Sequence, residues 1–321
     1  MNGRLKTNIK KAVACKACIA ALAVQAALSA CTGTAGVASD WEAAALEQDG
    51  KVAFTQTQAI DARPFLSESE LLKSVSEECW EAFGLGKPDG LASVGEKPIR
   101  GVVVPHHAAA AALSAYLISR LAESQPPAVI ILAPNHYNTG AEAITAASDF
   151  MCHSKRVSAG TEAAERLGRA GLVSISDEPF KREHSIGMLL PIIAWYLPDA
   201  EVIPVIFHHG ADEGRILAVL HALSPEIEAG AVVVASIDFS HYLTWAEAVE
   251  KDRETRGYLE NGDAAAISKL DSSYVDSPTV MAAMLMHFGT EGMEIVANTN
   301  SGILMNNPVS PCTSYFAIQF R

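Results

Sequence analysis

Basic residues are scarce in this chain: 24 lysines and arginines stand against 37 aspartates and glutamates, a net charge of −13 over 321 residues. An acidic balance of that kind argues against nucleic acid or anionic lipid headgroups as partners. Cysteine is sparse as well, six in all, and no spacing among the six matches a zinc motif. Past residue 30 nothing approaches the ~20 consecutive apolar residues that a spanning helix needs. Neither a P-loop nor a dinucleotide glycine fingerprint follows any apolar run. A Gly-x-Ser-x-Gly elbow is also missing, which sets aside serine hydrolysis of that type. No Pro/Gly/Ser-rich linker interrupts the chain after its first fifty residues, so the bulk of it reads as one large α/β domain.

What is present begins with an N-terminal segment that does not belong to the fold. Arg4, Lys6, Lys10, Lys11 and Lys16 form a basic start without an acidic residue, and Ala17 to Leu28 is an apolar run of signal-peptide length. It ends Leu28-Ser29-Ala30-Cys31, the pattern of a bacterial lipobox. The expected division is a lipoprotein signal peptide over 1–30, a lipidated tether over 31–52 beginning at Cys31, and an α/β domain over 53–321. The mature chain would be exported and anchored to a bacterial membrane surface through its lipid rather than spanning it. Losing five basic residues takes the net charge to about −18. Cys15 and Cys18 leave with the signal peptide, so Cys79, Cys152 and Cys312 remain, read as buried thiols with at most one disulfide.

The domain is organised around residues 101–140, where one event happens twice. Gly101 to Val104 is an apolar run that stops at Pro105-His106-His107, and Ala128 to Leu132 is a second that stops at Pro134-Asn135-His136. Between them, Leu113, Tyr116, Leu117 and Leu121 return at helical spacing over Ala108 to Ser124. Strand, helix, strand is a βαβ unit, whose parallel strands end on one edge of the sheet, where open α/β sheets keep their ligands. Each proline lacks a backbone donor and stops its strand where the histidine must project. Two imidazoles converging on one crevice point to a metal.

Further along, Arg182-Glu183-His184-Ser185 opens a helical pattern over Ile186 to Leu197, where a carboxylate at the helix start is favoured by the dipole. A strand over Glu201 to Phe207 leads to His208-His209-Gly210, read as a surface turn before the helix Asp212 to Leu223. The apolar strand Ala231 to Ala235 delivers Ser236-Ile237-Asp238-Phe239-Ser240-His241-Tyr242 to the same sheet edge. An aspartate there can orient an imidazole, bind a metal or accept a substrate proton. The methionines of the helix Pro278 to Phe288 read as core filling, and Glu294 to Ala297 and Ser314 to Phe320 as closing strands.

Six blocks in order, VVPHHA (103–108), ILAPNHYNTG (131–140), EHSIGMLLP (183–191), IPVI (203–206), VVASIDFSHY (233–242) and SYFAIQF (314–320), resemble the Memo family. Its bacterial members are called AmmeMemoRadiSam system protein B, and its fold is that of the class III extradiol ring-cleaving dioxygenases. The resemblance implies a three-layer α/β domain with a central, mostly parallel sheet and helices on both faces. It puts His106 and His136 at the family's two metal-binding histidines, and Glu183, His184, Asp238 and His241 at its other pocket positions. Iron is the metal it implies, with copper as an alternative and zinc possible from ligand type.

The chain also departs from the family pattern. His107 and a run of alanines replace a glycine and an aromatic, Gly187 replaces a second glutamate, and the family's ligating cysteine is absent from Ser273-Tyr274-Val275-Asp276-Ser277-Pro278. Asp276 is the nearest substitute, and two histidines with a carboxylate would suit non-haem iron(II). The expected function is a metal-dependent, dioxygenase-like oxidoreductase acting on a small molecule, with His106, His136 and Asp276 as ligands. Glu183, His184, Asp238 and His241 would be its acid–base and orienting groups. The alternatives are a membrane-anchored binding protein with a degenerate pocket that holds no metal, and zinc-assisted hydrolysis at the same residues.

Overall fold

A computed structural model describes residues 59–62, 65–85, 97–309 and 311–321. The expected signal peptide, the expected lipidation at Cys31 and the expected tether lie outside these residues. Eleven strands occur among them: β1 (Ile60–Asp61), β2 (Gly101–Val104), β3 (Ala128–Pro134), β4 (Ala143–Thr145), β5 (Phe150–Cys152), β6 (Lys155–Val157), β7 (Ser174–Ile175), β8 (Glu201–Phe207), β9 (Val232–Ser236), β10 (Glu294–Asn300) and β11 (Ser314–Phe320). Eight of them form one sheet in the order β10-β11-β2-β9-β3-β8-β4-β7, and β1-β5-β6 form a small second sheet.

The centre of the large sheet, β2-β9-β3-β8, is wholly parallel, while β11 joins β2 and β4 joins β8 antiparallel. Every residue of β2, β3 and β9 is buried, as expected of β-branched strands covered on both faces. Consecutive residues feed opposite cores. Val102, Val104, Val129 and Ile131 pack into one cluster with the helices Ala111–Leu121 and Leu190–Tyr196. Val103, Ile130, Leu132 and Val233 pack into another with the helices Glu213–Ala222 and Pro278–Phe288. The result is three layers. Met281 and Met284 sit fully buried in the second cluster, in keeping with core filling, but Met286 of the same helix is exposed and fills no core.

Several local expectations change. The first βαβ unit is not a pair of neighbours, because β9 lies between β2 and β3. The single helix expected over Ile186 to Leu197 is two, His184–Gly187 and Leu190–Tyr196. Pro191, in the first turn of the second, cannot donate to the preceding turn and restarts the helix there. No disulfide joins any two of Cys79, Cys152 and Cys312. Among the described residues no helix is long and apolar enough to cross a membrane.

Candidate metal centre

Because β2, β9 and β3 run parallel, their carboxyl ends open onto one edge, and each releases its polar residues there. His106 and His136 follow the ends of β2 and β3, and Asp238 follows the end of β9. A fourth contribution comes from the short helix His184–Gly187, whose N-cap is Glu183. The ligating atoms of His106, His136 and His184 all lie within 4.8 Å of one another. The rings of His136 and His184 are 3.8 Å apart, and His106 is 5.0 and 5.2 Å from those two.

The hydrogen-bond network assigns a tautomer to each of the first two rings. Ser236 Oγ donates to the carbonyl of Ser185 at 2.6 Å, so toward His106 it can only accept, and His106 Nδ1 at 3.1 Å must carry the proton. Nε2 of His106 then points its lone pair at Asp276 Oδ2, 3.2 Å away, and toward Asp238 Oδ2 at 3.7 Å. His136 donates from Nδ1 to Glu183 Oε1 at 2.7 Å and from its backbone N–H to Oε2 at 3.0 Å. Its Nε2 is left free, 4.0 Å from Asp276 Oδ2. A lone pair facing a carboxylate is repulsive unless a cation lies between them. In the metal-free protein that cation is a proton. Burial alone would lower the pKa of His106, but Asp238, Asp276 and Glu183 together raise it to about 9.

The same fields act on the neighbours. Burial would push Glu183 up, but the hydrogen bond and charge of His136 bring it down to about 2, an ionised carboxylate. His184, desolvated and next to two other imidazoles, is lowered to about 3 and stays neutral. Asp276 is held below the usual carboxylate range against the opposing effect of burial, chiefly by its hydrogen bond with His106. Its Oδ2 also accepts the backbone N–H of Asp238 at 3.2 Å, whereas its Oδ1 is buried with no hydrogen-bond partner among the described residues.

Two imidazole Nε2 atoms beside one buried carboxylate, which has an oxygen left without a hydrogen bond, are a donor set that fits a metal ion. His106, His136 and His184 are the nitrogen donors the geometry brings together, with Asp276 the adjacent oxygen donor.

Asp238 accepts the backbone N–H of His106 at 3.1 Å. It caps no helix, since Thr244 caps the helix Trp245–Glu260. Nδ1 of His241 is buried and has no hydrogen-bond partner among the described residues. His208 and His209 stay out of the cluster: Nδ1 of His208 accepts from Gly210 within its own turn, and His209 is exposed. Reading the sequence missed Ser185 and Ser236, which fix the tautomer of His106, and the contact of His107 Nδ1 with the buried Tyr315 hydroxyl. Ser236 was findable, because it stands two residues before Asp238 and a strand repeats its face every second residue.

The model for the family described as "Memo-like protein" matches residues 65–309. A MEMO1 family protein of Aeropyrum pernix is 28% identical over 251 residues, covering 74% of this chain and 89% of that protein. One of Methanopyrus kandleri is 27% identical over 285 residues, covering 83% and 99%. One of Pyrobaculum arsenaticum is 31% identical over 190 residues, covering 56% of this chain and 66% of its own length. These relatives are archaeal, whereas the lipobox reading points to a bacterium.

Proposed function

The chain belongs to the Memo family, and on that footing we propose that its strand-end pocket holds one divalent transition metal, iron(II), and supports a dioxygenase-like oxidoreductase reaction on a small molecule. His106 and His136 would hold the ion through Nε2, with Asp276 as carboxylate ligand and His184 as the adjoining nitrogen. The observation that carries this reading is Nε2 of His106 facing Asp276 at 3.2 Å while the other oxygen of that carboxylate is buried and unpaired.

When bound, iron(II) in a histidine-and-carboxylate set supplies Lewis acidity and one-electron chemistry, with coordination positions open to substrate. A carboxylate in place of a thiolate favours that harder ion over copper(I). The chain's own residues supply the rest. Glu183 and Ser236 hold the two ligand imidazoles in the tautomer that presents Nε2. His184, kept neutral by burial and its neighbours, would offer its lone pair to the ion instead of taking up a proton. His241, whose Nδ1 has no partner among the described residues, would be the proton-handling group, and Asp238 anchors the His106 backbone.

The test is oxygen uptake by the iron-loaded chain over a panel of catechols. Turnover that disappears in His106→Ala and His136→Ala is the expected result. Bound iron without oxygen uptake on any of them would favour a non-catalytic binding protein, the reading that the missing family cysteine supports. The proposal also includes export and lipid anchoring at Cys31, carried by Leu28-Ser29-Ala30-Cys31. A radiolabelled fatty acid should enter the wild type and not Cys31→Ala.

A further inference from the structure

The helix Trp245–Glu260 carries a buried acid in its middle. Asp252 is 4% exposed and receives side-chain donors from three other segments. Ser314 Oγ, at the start of β11, donates to Oδ1 at 2.6 Å, and Asn298 Nδ2, from β10, donates to Oδ2 at 2.9 Å. Ser240 Oγ shares its hydrogen between Asp252 Oδ1 at 3.2 Å and Ser314 Oγ at 2.8 Å. The backbone repeats the join: Ser314 N–H donates to the Ser240 carbonyl at 2.8 Å, and Phe239 N–H to the Ser314 carbonyl at 2.9 Å.

This knot ends at the metal pocket. Phe239, wholly buried, packs on Phe316 at 4.5 Å and forms a β-bridge with Val275. One residue earlier, the Asp238 carbonyl accepts the N–H of Asp276 at 3.0 Å, and the Asp238 N–H donates to Asp276 Oδ2 at 3.2 Å. The place of the Asp238 backbone therefore decides where the carboxylate of Asp276 points. A buried carboxylate is a costly way to join helix to strand. What it offers over a neutral side chain is acceptor capacity for three donors at once, in charge-assisted bonds.

We propose that Asp252 is a positioning residue for the metal centre: by fixing Ser240 and Ser314 it sets the segment Asp238–His241 and, through the Asp238 N–H, the aim of Asp276. The inference rests on the metal-binding reading above. It extends the machinery of the site to a helix that contributes no ligand.

The experiment is a cobalt(II) titration of the full chain followed by visible absorption, with thermal unfolding measured alongside. Asp252→Ala should weaken cobalt(II) binding about tenfold, the size of a lost outer-layer partner, and change the shape of the d–d band. Ser240→Ala should move both readouts in the same direction. Asp252→Asn, which keeps an oxygen for the two serines, should recover most of the affinity. Val219→Ala, a cavity in the second core on the helix Glu213–Ala222, should lower thermal stability and leave the cobalt(II) affinity and spectrum unchanged. Should Asp252→Ala fail to fold, Ser240→Ala decides. Wild-type affinity and spectrum in Ser240→Ala, or an equal loss in Val219→Ala, would overturn the proposal while leaving the metal reading intact. No cobalt(II) bound by the wild type would overturn both.

Discussion

Replacing Asp252 by asparagine should make the stability of the metal-free protein less sensitive to pH, and the expected size can be worked out. Burial raises the Asp252 carboxyl from 3.8 to about 6, against the lowering effect of Ser314, Asn298, Ser240 and Arg256. Arg256 lies one turn along the same helix, and the Cys312 thiol also feels this charge. A group whose folded pKa is raised contributes stability that is fully present below its unfolded value and is lost as pH rises through its folded value. The loss therefore falls between about pH 4 and 6 and is complete near pH 7. A shift of that size is worth about 3 kcal/mol in total, of which roughly 2 kcal/mol lies between pH 4.5 and 7.5. An asparagine does not titrate, but it turns one acceptor into a donor facing Asn298, a penalty of about 1–3 kcal/mol that is the same at every pH. Asp252→Asn should thus gain on the wild type by roughly 2 kcal/mol on going from pH 4.5 to 7.5, or about 4–8 °C in Tm for a domain of this size. Reversible urea unfolding at the two pH values measures it. A variant whose offset from wild type is the same at both would refute the claim that Asp252 is a buried acid ionising at a cost.

Glu183→Gln keeps the shape of the side chain but removes the charge that holds Nδ1 of His136, so metal affinity should fall about 10–100-fold in an iron(II) or cobalt(II) titration. Unchanged affinity would mean that the hydrogen bond does not orient the ring. Because His106 carries a proton up to about pH 9 in the metal-free protein, metal binding must release it. Affinity should therefore rise with pH by up to about tenfold per unit until that value is passed; equal dissociation constants at pH 7 and pH 8 would contradict this. Gly101→Ala places a Cβ 2.6 Å from the ring of Phe288, and the overpacking should cost about 1–3 kcal/mol in urea unfolding without changing metal content.

The central strands were legible because their residues are β-branched and the runs end in prolines. Strand order was not, since nothing local in β2 or β3 records that β9, a hundred residues on, inserts between them. The small sheet escaped notice for a different reason. The turn between β5 and β6 is made by His153 and Ser154, both in the left-handed region at φ 46° and 64°, where an Asn-Gly pair would have announced a hairpin. At the site, the strand-end argument reached His106, His136, Asp238 and His241 from pattern alone. Glu183 and His184 come from a four-residue helix, and periodicity cannot say which strand end a helix start will face. The family resemblance was needed to assign those two to the pocket. That resemblance gives His184 no place among the metal ligands, whereas the geometry brings one of its nitrogens within 4.8 Å of those of His106 and His136.

The most direct measurement is the metal content of the purified chain by elemental analysis, prepared without chelator and again under anaerobic reducing conditions, alongside His106→Ala and His136→Ala. The account predicts about one iron per wild-type chain, as a single histidine-and-carboxylate site requires, and none in either variant. No transition metal in the wild type under either condition, or undiminished metal in both variants, would contradict it.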